Sequence, residues 1–319
     1  MLSELKDEDV VIAVEASEVF WTDTVMMTGQ YQHQPRLPFT PGTASGRVVW
    51  AGTAAAAKGI QIGMRVIAQN IGARSSGPYQ KWGGCASYAV CPATSLQEIP
   101  PHWSFEQAAC FGYGYGTVHY CLVEVAALQL GQTILVQGAT GGVGIPAVQM
   151  AKLLGAVVIA ATRSADKVDY LKSVGADHVI LVADDVGTPR RFSGDVKKLA
   201  GGKGVDVVYD GVGGDAISVE SMRACKFGAK YLIVGWAATP NVAAGGGAGR
   251  GQGAPSPNRI PTNLIMMKGL HVIGCPAVIS LTAQGPEKGA AIMQRRQKDI
   301  KEWVFSGRLP PPTVGKVFP

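Results

Sequence analysis

A glycine-rich septet stands between a short apolar run and an amphipathic helix pattern, and this juncture restricts the fold more than any other feature. The run 133–137 is typical of a buried parallel strand, and apolar residues recur at helical spacing after the septet. The septet reads Gly138-Ala139-Thr140-Gly141-Gly142-Val143-Gly144. Gly141 and Gly142 would let the backbone approach a pyrophosphate, and Gly144 would allow close packing of helix and strand. The context favours a dinucleotide-binding turn, with a purely structural glycine turn as the alternative.

The apolar runs that follow the septet indicate the fold class of the second part of the chain. Together with 133–137 they give six strands separated by helical or turn segments, which predicts an α/β doubly wound parallel sheet of the Rossmann type. The further runs are 157–161, 179–182, 205–209, 231–234 and 270–273. Before about residue 108 the alternation is shorter and the turns are more frequent, which predicts a β-rich first domain.

Length and composition agree with two domains. The chain has 319 residues, of which 47% are hydrophobic and 16% charged, so it has ample apolar surface to bury. Residues 238–257 are rich in Gly, Ala and Pro, and this composition predicts a loop inserted late in the nucleotide-binding domain.

The end of the second predicted strand bears on which dinucleotide is bound. An NAD site usually places an acid there to accept the ribose hydroxyls, but this strand ends Ala161-Thr162-Arg163-Ser164. Arg163 and Lys167 would suit a 2′-phosphate, with Thr162 and Ser164 as neutral donors. These residues favour NADPH, and the alternative is that Arg163 and Lys167 are solvated residues at a helix start.

Several other classes of function find little support in the sequence. No His, Cys or acidic residues stand at catalytic zinc spacing, and no Gly-x-Ser-x-Gly stretch indicates a hydrolase. No apolar run is long enough to span a bilayer. The net charge is +6, but the basic residues are scattered, so nucleic acid is an unlikely partner. The acidic start lacks a signal pattern and no cysteines form a CxxC pair, which predicts a reducing, cytoplasmic location, with mitochondrion and plastid left open.

The motifs jointly resemble the zinc-independent quinone oxidoreductases of the medium-chain dehydrogenase/reductase family. The septet is similar to the fingerprint of that group, and the resemblance covers nearly the whole chain. Residues 29–42 are similar to its Gly-x-Tyr…Leu-Pro-Phe-x-Pro-Gly stretch, and 63–66, 83–90, 210–214 and 263–274 continue the match. Pro41-Gly42-Thr43-Ala44 stands where the zinc-binding alcohol dehydrogenases of the superfamily carry a Gly-His-Glu stretch.

The resemblance implies an architecture, an assembly and an activity. A GroES-like domain would span 1–108 and be completed by 276–319, with a Rossmann domain over 109–275. A homodimer would form through the strand at 270–274. The chain would transfer a hydride from NADPH to a quinone or an α,β-unsaturated carbonyl compound, without metal.

The resemblance also implies site residues. Tyr31 would line the active-site cleft, and Thr22, Tyr31 and Asp23 are the candidate catalytic residues, with a hydroxyl donating to the developing oxyanion. The residues expected at the cofactor are Thr117, Gly138, Ala139, Thr140, Gly141, Gly142, Val143, Gly144, Thr162, Arg163, Lys167, Val212 and Gly235.

The chain also departs from the family pattern. Phe20 replaces the Asn of an Asn-x-x-Asp stretch, and Val25 and Val182 stand where tyrosines are common. The family's last helix and strand have no counterpart before Pro319. These departures motivate a second interpretation, in which the chain is a cofactor-binding scaffold or assembly subunit without turnover. A third, an RNA-binding role, rests only on the sequence pI of about 9.0.

Overall fold

The computed structural model describes residues 4–29, 31, 34–69, 71–75, 77–237, 258–277 and 284–319. The described residues form two compact units. The first takes its residues from Met1–Tyr113 and Pro311–Pro319, and the second from Gly114–Val242 and Arg250–Pro310. The Gly-rich segment 238–257, predicted as a loop, lies outside the described residues.

The first unit contains a five-stranded antiparallel sheet in the order β4-β1-β2-β3-β5. Its strands are β1 (Asp9–Ala16), β2 (Ala44–Ala51), β3 (Arg65–Ala68), β4 (Tyr88–Pro92) and β5 (Leu96–Glu98), and its helices are α1 (Trp21–Met27), α2 (Thr53–Ala56) and α3 (Phe105–Ala109). Alternate apolar residues bury one face of this curled sheet, with Val10, Ile12, Val48 and Val66 at its centre. The predicted β-rich, GroES-like fold is confirmed.

The second unit contains a six-stranded parallel sheet in the order β8-β7-β6-β9-β10-β11. Its strands are β6 (Thr133–Gln137), β7 (Val157–Thr162), β8 (His178–Leu181), β9 (Val205–Asp210), β10 (Cys225–Ile233) and β11 (His271–Gly274). The central strands β6 and β9 are almost wholly buried, in agreement with the apolar residues at most of their inner positions. All six predicted strands are present, with boundaries shifted by a residue or more at most ends.

Helices precede and follow the strands of this sheet along the chain. They are α4 (Gly112–His119), α5 (Gly144–Leu153), α6 (Val168–Ser173), α7 (Ser193–Leu199), α8 (Asp215–Ala224), α9 (Thr262–Lys268) and α10 (Pro286–Phe305), with a short π-helix at Tyr120–Val125. A 3-10 turn at Ala165–Lys167 directly precedes α6. Helix α10 belongs to the second unit, whereas residues 311–319 belong to the first.

The strand order fixes where a ligand is expected in the second unit. Chain connections run outward in opposite directions from β6 and β9, which lie side by side. In doubly wound sheets, ligands bind outside the carboxyl ends of the strands at this point of reversal. A ligand is therefore expected at the turn after Gln137 and at the loop after Asp210.

Candidate nucleotide site and polar cluster

The turn after β6 places an exposed loop against the start of α5. Residues 140–142 are exposed, while Ala139 is fully buried and donates its N–H to Ala161 O in β7 at 3.2 Å. Gly144 N–H donates to Gly141 O at 2.9 Å, which tightens the turn where the helix begins. The helix dipole and the exposed backbone of this turn can attract a phosphate group.

Within this turn, Gly144 is the position at which a side chain is least acceptable. A Cβ at Gly144 would lie 2.0 Å from Gly138 O and 2.7 Å from both Ala139 C and Ala139 Cα. These are backbone atoms of the preceding turn, so they cannot move aside as a flexible side chain could. The close approach of α5 to β6 therefore depends on glycine here.

The loop after β9 reaches the same turn. Val212 Cγ2 is only 2.8 Å from the place that a Cβ on Gly138 would occupy, and Gly235 N–H donates to Asp210 O at 3.2 Å. The predicted cofactor residues of the septet, Val212 and Gly235 are thus brought to one end of the sheet. Thr117 lies on α4, which is joined to α5 by a hydrogen bond from Tyr115 Oη to Gln149 Oε1 at 2.5 Å.

Asp210 shapes this loop, and its role was missed in the sequence. Its buried carboxylate accepts hydrogen bonds from Val212 N at 2.9 Å, Gly213 N at 2.8 Å and Ser218 Oγ at 3.2 Å. Tyr231 Oη donates to the same carboxylate. Burial is the main cause that raises the pKa of this phenol, and the charge of Asp210 and this hydrogen bond raise it further. The available signal was an aspartate followed by three glycines within four residues, although it does not reveal partners on β10.

The tip of β7 separates into buried and exposed residues. Thr162 is buried, and its Oγ1 accepts a hydrogen bond from Ser164 N at 3.2 Å, so this hydroxyl shapes the loop. Arg163 is exposed, and Lys167 is exposed and paired with Asp166 at 3.1 Å. No acid occupies the tip of the strand, and Asp166 lies in the following 3-10 turn.

The candidate catalytic residues of the first unit lie in or after α1. Asp23 is buried, and its carboxylate accepts hydrogen bonds from Phe20 N at 3.0 Å and from the Arg74 guanidinium. Thr22 Oγ1 is buried and has no hydrogen-bond partner among the described residues. Asp23 therefore anchors the start of α1 in addition to any role toward a substrate.

Tyr31 lies beside a second tyrosine. Burial is the main reason that the pKa of Tyr113 is raised, and the charge and hydrogen bond of Tyr31 add to it. The Tyr113 ring packs edge-on against Phe20, with centroids 5.1 Å apart, and the Arg74 guanidinium lies 4.8 Å from the Tyr113 centroid.

Phe20 is thus a buried packing residue, whereas Trp21 is exposed. Tyr113 and Arg74 were not identified from the sequence.

Among the described residues, no three His, Cys, Asp or Glu side chains are grouped so that they could hold a metal ion. Within the same residues, no helix has the length and apolar character needed to cross a bilayer.

Comparison with known proteins agrees with this geometry. Residues 6–101 match the alcohol dehydrogenase GroES-like domain, and residues 142–278 match the family described as zinc-binding dehydrogenase. The chain is 31% identical over 272 residues to a quinone oxidoreductase-like protein 2 homolog from Nematostella vectensis, covering 85% of this chain and 65% of that protein. It is 30% identical over 269 residues to quinone oxidoreductase-like protein 2 from Mus musculus, covering 84% and 67%. The chain thus spans about two thirds of the length of these relatives.

Solved structures show the same relationship. Escherichia coli quinone oxidoreductase complexed with NADPH aligns with a TM-score of 0.70 and 25% identity, covering 95% of this chain and 82% of that one. A mycobacterial protein complexed with NADPH aligns with a TM-score of 0.69 and 28% identity, covering 93% and 81%. The fold defines an α/β protein with a Rossmann-type parallel sheet and a GroES-like domain. The chain belongs to the medium-chain dehydrogenase/reductase family, among the quinone oxidoreductase-like members.

Proposed function

We propose that the chain is an NADPH-dependent oxidoreductase that reduces a quinone or an α,β-unsaturated carbonyl compound without a metal ion. The observation that carries the proposal is the glycine turn at the point of strand reversal, with Arg163 and not an acid at the tip of β7. Relatives in NADPH complexes support the choice of cofactor.

The residues present fit a dinucleotide. A Cβ at Gly144 would collide with the turn and Val212 closes on Gly138, so the turn is tightly packed against α5, while its residues 140–142 stay exposed to a ligand. The septet and the start of α5 would hold the pyrophosphate, and Arg163 and Lys167 the 2′-phosphate. Thr117, Val212 and Gly235 would complete the site. Bound NADPH would supply the hydride.

The first unit would provide the substrate groups. Tyr31 would donate its hydroxyl proton in a hydrogen bond to the oxygen on which negative charge develops, and Thr22 is the second candidate donor. Asp23, held by Arg74 and by Phe20 N, would fix α1 so that Thr22 keeps its position.

The strand β11 favours a homodimer. It forms one edge of the described sheet and pairs with β10 on its inner side. An uncovered strand edge is a ready surface for pairing with another chain. The dimer contact would therefore use residues 270–274, as the resemblance implies.

A scaffold without turnover remains the second candidate. The observation that favours it is the engagement of Asp23 by Arg74, together with buried apolar side chains at Phe20, Val25 and Val182 where the family pattern has polar ones. Turnover separates the two candidates, because a scaffold would bind the cofactor without oxidising it.

Oxidation of NADPH by a panel of quinones and enones tests the proposal. Tyr31→Phe should lower kcat by about 100-fold, which is typical for loss of one donor to an oxyanion, and should leave NADPH binding unchanged. Tyr88→Phe is the matched control, because Tyr88 is an exposed tyrosine of the same unit, and should retain full activity. Unchanged kcat in Tyr31→Phe would remove Tyr31 from the mechanism. Absence of turnover by the unmodified chain with the whole panel would favour the scaffold.

A further inference from the structure

Two buried carboxyl groups share one guanidinium in the first unit. Arg74 donates to Asp23 through Nη2, and its Nη1 lies 3.9 Å from Glu18 Oε2, beyond hydrogen-bond distance. The side chains of Arg74, Asp23 and Glu18 are 4%, 1% and 10% exposed. The cluster would thus carry one uncompensated negative charge if both carboxyl groups were ionised, and burial opposes such a charge.

The two carboxyl groups have unequal environments. Asp23 accepts hydrogen bonds from the Arg74 guanidinium and from the Phe20 amide. Glu18 Oε2 has no hydrogen-bond partner among the described residues. Burial is the main cause that raises the pKa of Glu18 to about 7, with Arg74 lowering it and Asp23 raising it. Cys110 is the other titratable group shown to interact with Glu18 in this part of the chain.

One carboxyl group of this pair is held by a guanidinium and the other has an oxygen without a hydrogen-bond partner among the described residues. Acid and base roles in enzyme sites are assigned from pairs with such unequal environments. The buried Thr22 Oγ1 and the Nη1 and Nε atoms of Arg74 also lack hydrogen-bond partners among the described residues. Arg74 further contacts the Tyr113 ring, and Tyr113 bonds to Tyr31. The cluster is therefore continuous with the residues proposed to bind the substrate carbonyl.

We propose that Glu18 is the general acid that supplies the proton of the reduction, and that Arg74 and Asp23 hold it in place. This inference rests on the proposed function. After the β-carbon of an enone accepts the hydride, the electron pair of its C=C bond moves toward the carbonyl and forms an enolate. The Glu18 O–H bond then breaks, its proton forms a C–H bond at the α-carbon, and water reprotonates the carboxylate.

The test compares Glu18→Gln with the unmodified chain over a range of pH. In the unmodified chain, kcat for an enone should fall as the pH rises through about 7, because the acid loses its proton. In Glu18→Gln, kcat should be lower by about 100-fold or more and should not change over that range, as expected for loss of a general acid. Glu15→Gln, at a half-exposed glutamate of β1, is the matched control and should keep the pH profile of the unmodified chain.

Infrared difference spectroscopy gives a readout independent of turnover. A carboxyl C=O band that disappears as the pH rises through about 7, and that is missing in Glu18→Gln, would support the assignment. The same kcat profile in Glu18→Gln and in the unmodified chain would overturn it and leave the proposed reductase intact. An unmodified chain that shows the band but no turnover with the whole panel would overturn both the reductase and the role of Glu18 as its acid.

Discussion

Gly144→Ala is expected to unfold the nucleotide site. The added Cβ would lie 2.0 Å from Gly138 O, so either α5 or the turn must shift. Overpacking of this kind typically lowers the free energy of unfolding by about 1–3 kcal/mol, and a clash with backbone places the expected value at the upper end. The variant should also lose the thermal stabilisation by NADPH, because the same shift displaces the turn that would hold the pyrophosphate.

Gly194→Ala provides the matched control. Gly194 lies in α7 of the same unit, and a Cβ there would meet no atom within 4 Å. Alanine in a helix is favoured over glycine by up to about 1 kcal/mol, so this variant should be neutral or more stable. Urea denaturation and thermal shifts with NADPH measure both variants. Wild-type stability and cofactor response in Gly144→Ala would contradict the tight approach of α5 to β6.

Arg74→Met should destabilise the chain by about 3–5 kcal/mol, the usual effect of removing one partner of a buried ion pair. The substitution would leave the buried carboxylate of Asp23 without its guanidinium and would remove the only cation shown to face Glu18 among the described residues. It would also remove the contacts of Arg74 with the rings of Phe20 and Tyr113. Chemical denaturation measures the loss.

Two comparisons make this prediction specific. Arg190→Met breaks the pair of Arg190 with Asp195, whose side chains are about half exposed, so it should change stability by no more than about 1 kcal/mol. The double variant Arg74→Met with Asp23→Asn should be less unstable than the sum of the two single variants, because it leaves no unpaired carboxylate at position 23. Additive effects would mean that Arg74 and Asp23 are not coupled.

The architecture could be predicted from the sequence because its signals are local. Each parallel strand is an apolar run closed by a turn residue, and the septet marks the passage from β6 to α5. The start of β10 was predicted less accurately, at residue 231. The strand Cys225–Ile233 begins with a partly exposed stretch that carries no apolar run. The 3-10 turn at Ala165–Lys167, ahead of α6, also has no clear local signal in the sequence.

The polar cluster could not be predicted because it joins distant parts of the chain. Arg74 stands among small residues with no partner nearby in sequence, and its carboxylate partners are 51 and 56 positions away. Tyr113 looks like one of several aromatic residues in a glycine-rich helix, yet it packs on Phe20 and bonds to Tyr31. Only tertiary packing shows that Glu18 and Asp23 share a guanidinium.

Thermal stability of the purified chain with NADPH and with NADH, at matched concentrations, tests the central claim most directly. A ligand at 100 times its dissociation constant adds about 2.7 kcal/mol to the free energy of unfolding. The proposal predicts a clear rise in Tm with NADPH and a much smaller one with NADH, because Arg163 and Lys167 would bind the 2′-phosphate. Equal shifts with the two cofactors would contradict the assigned preference, and the absence of any shift would contradict the nucleotide site itself.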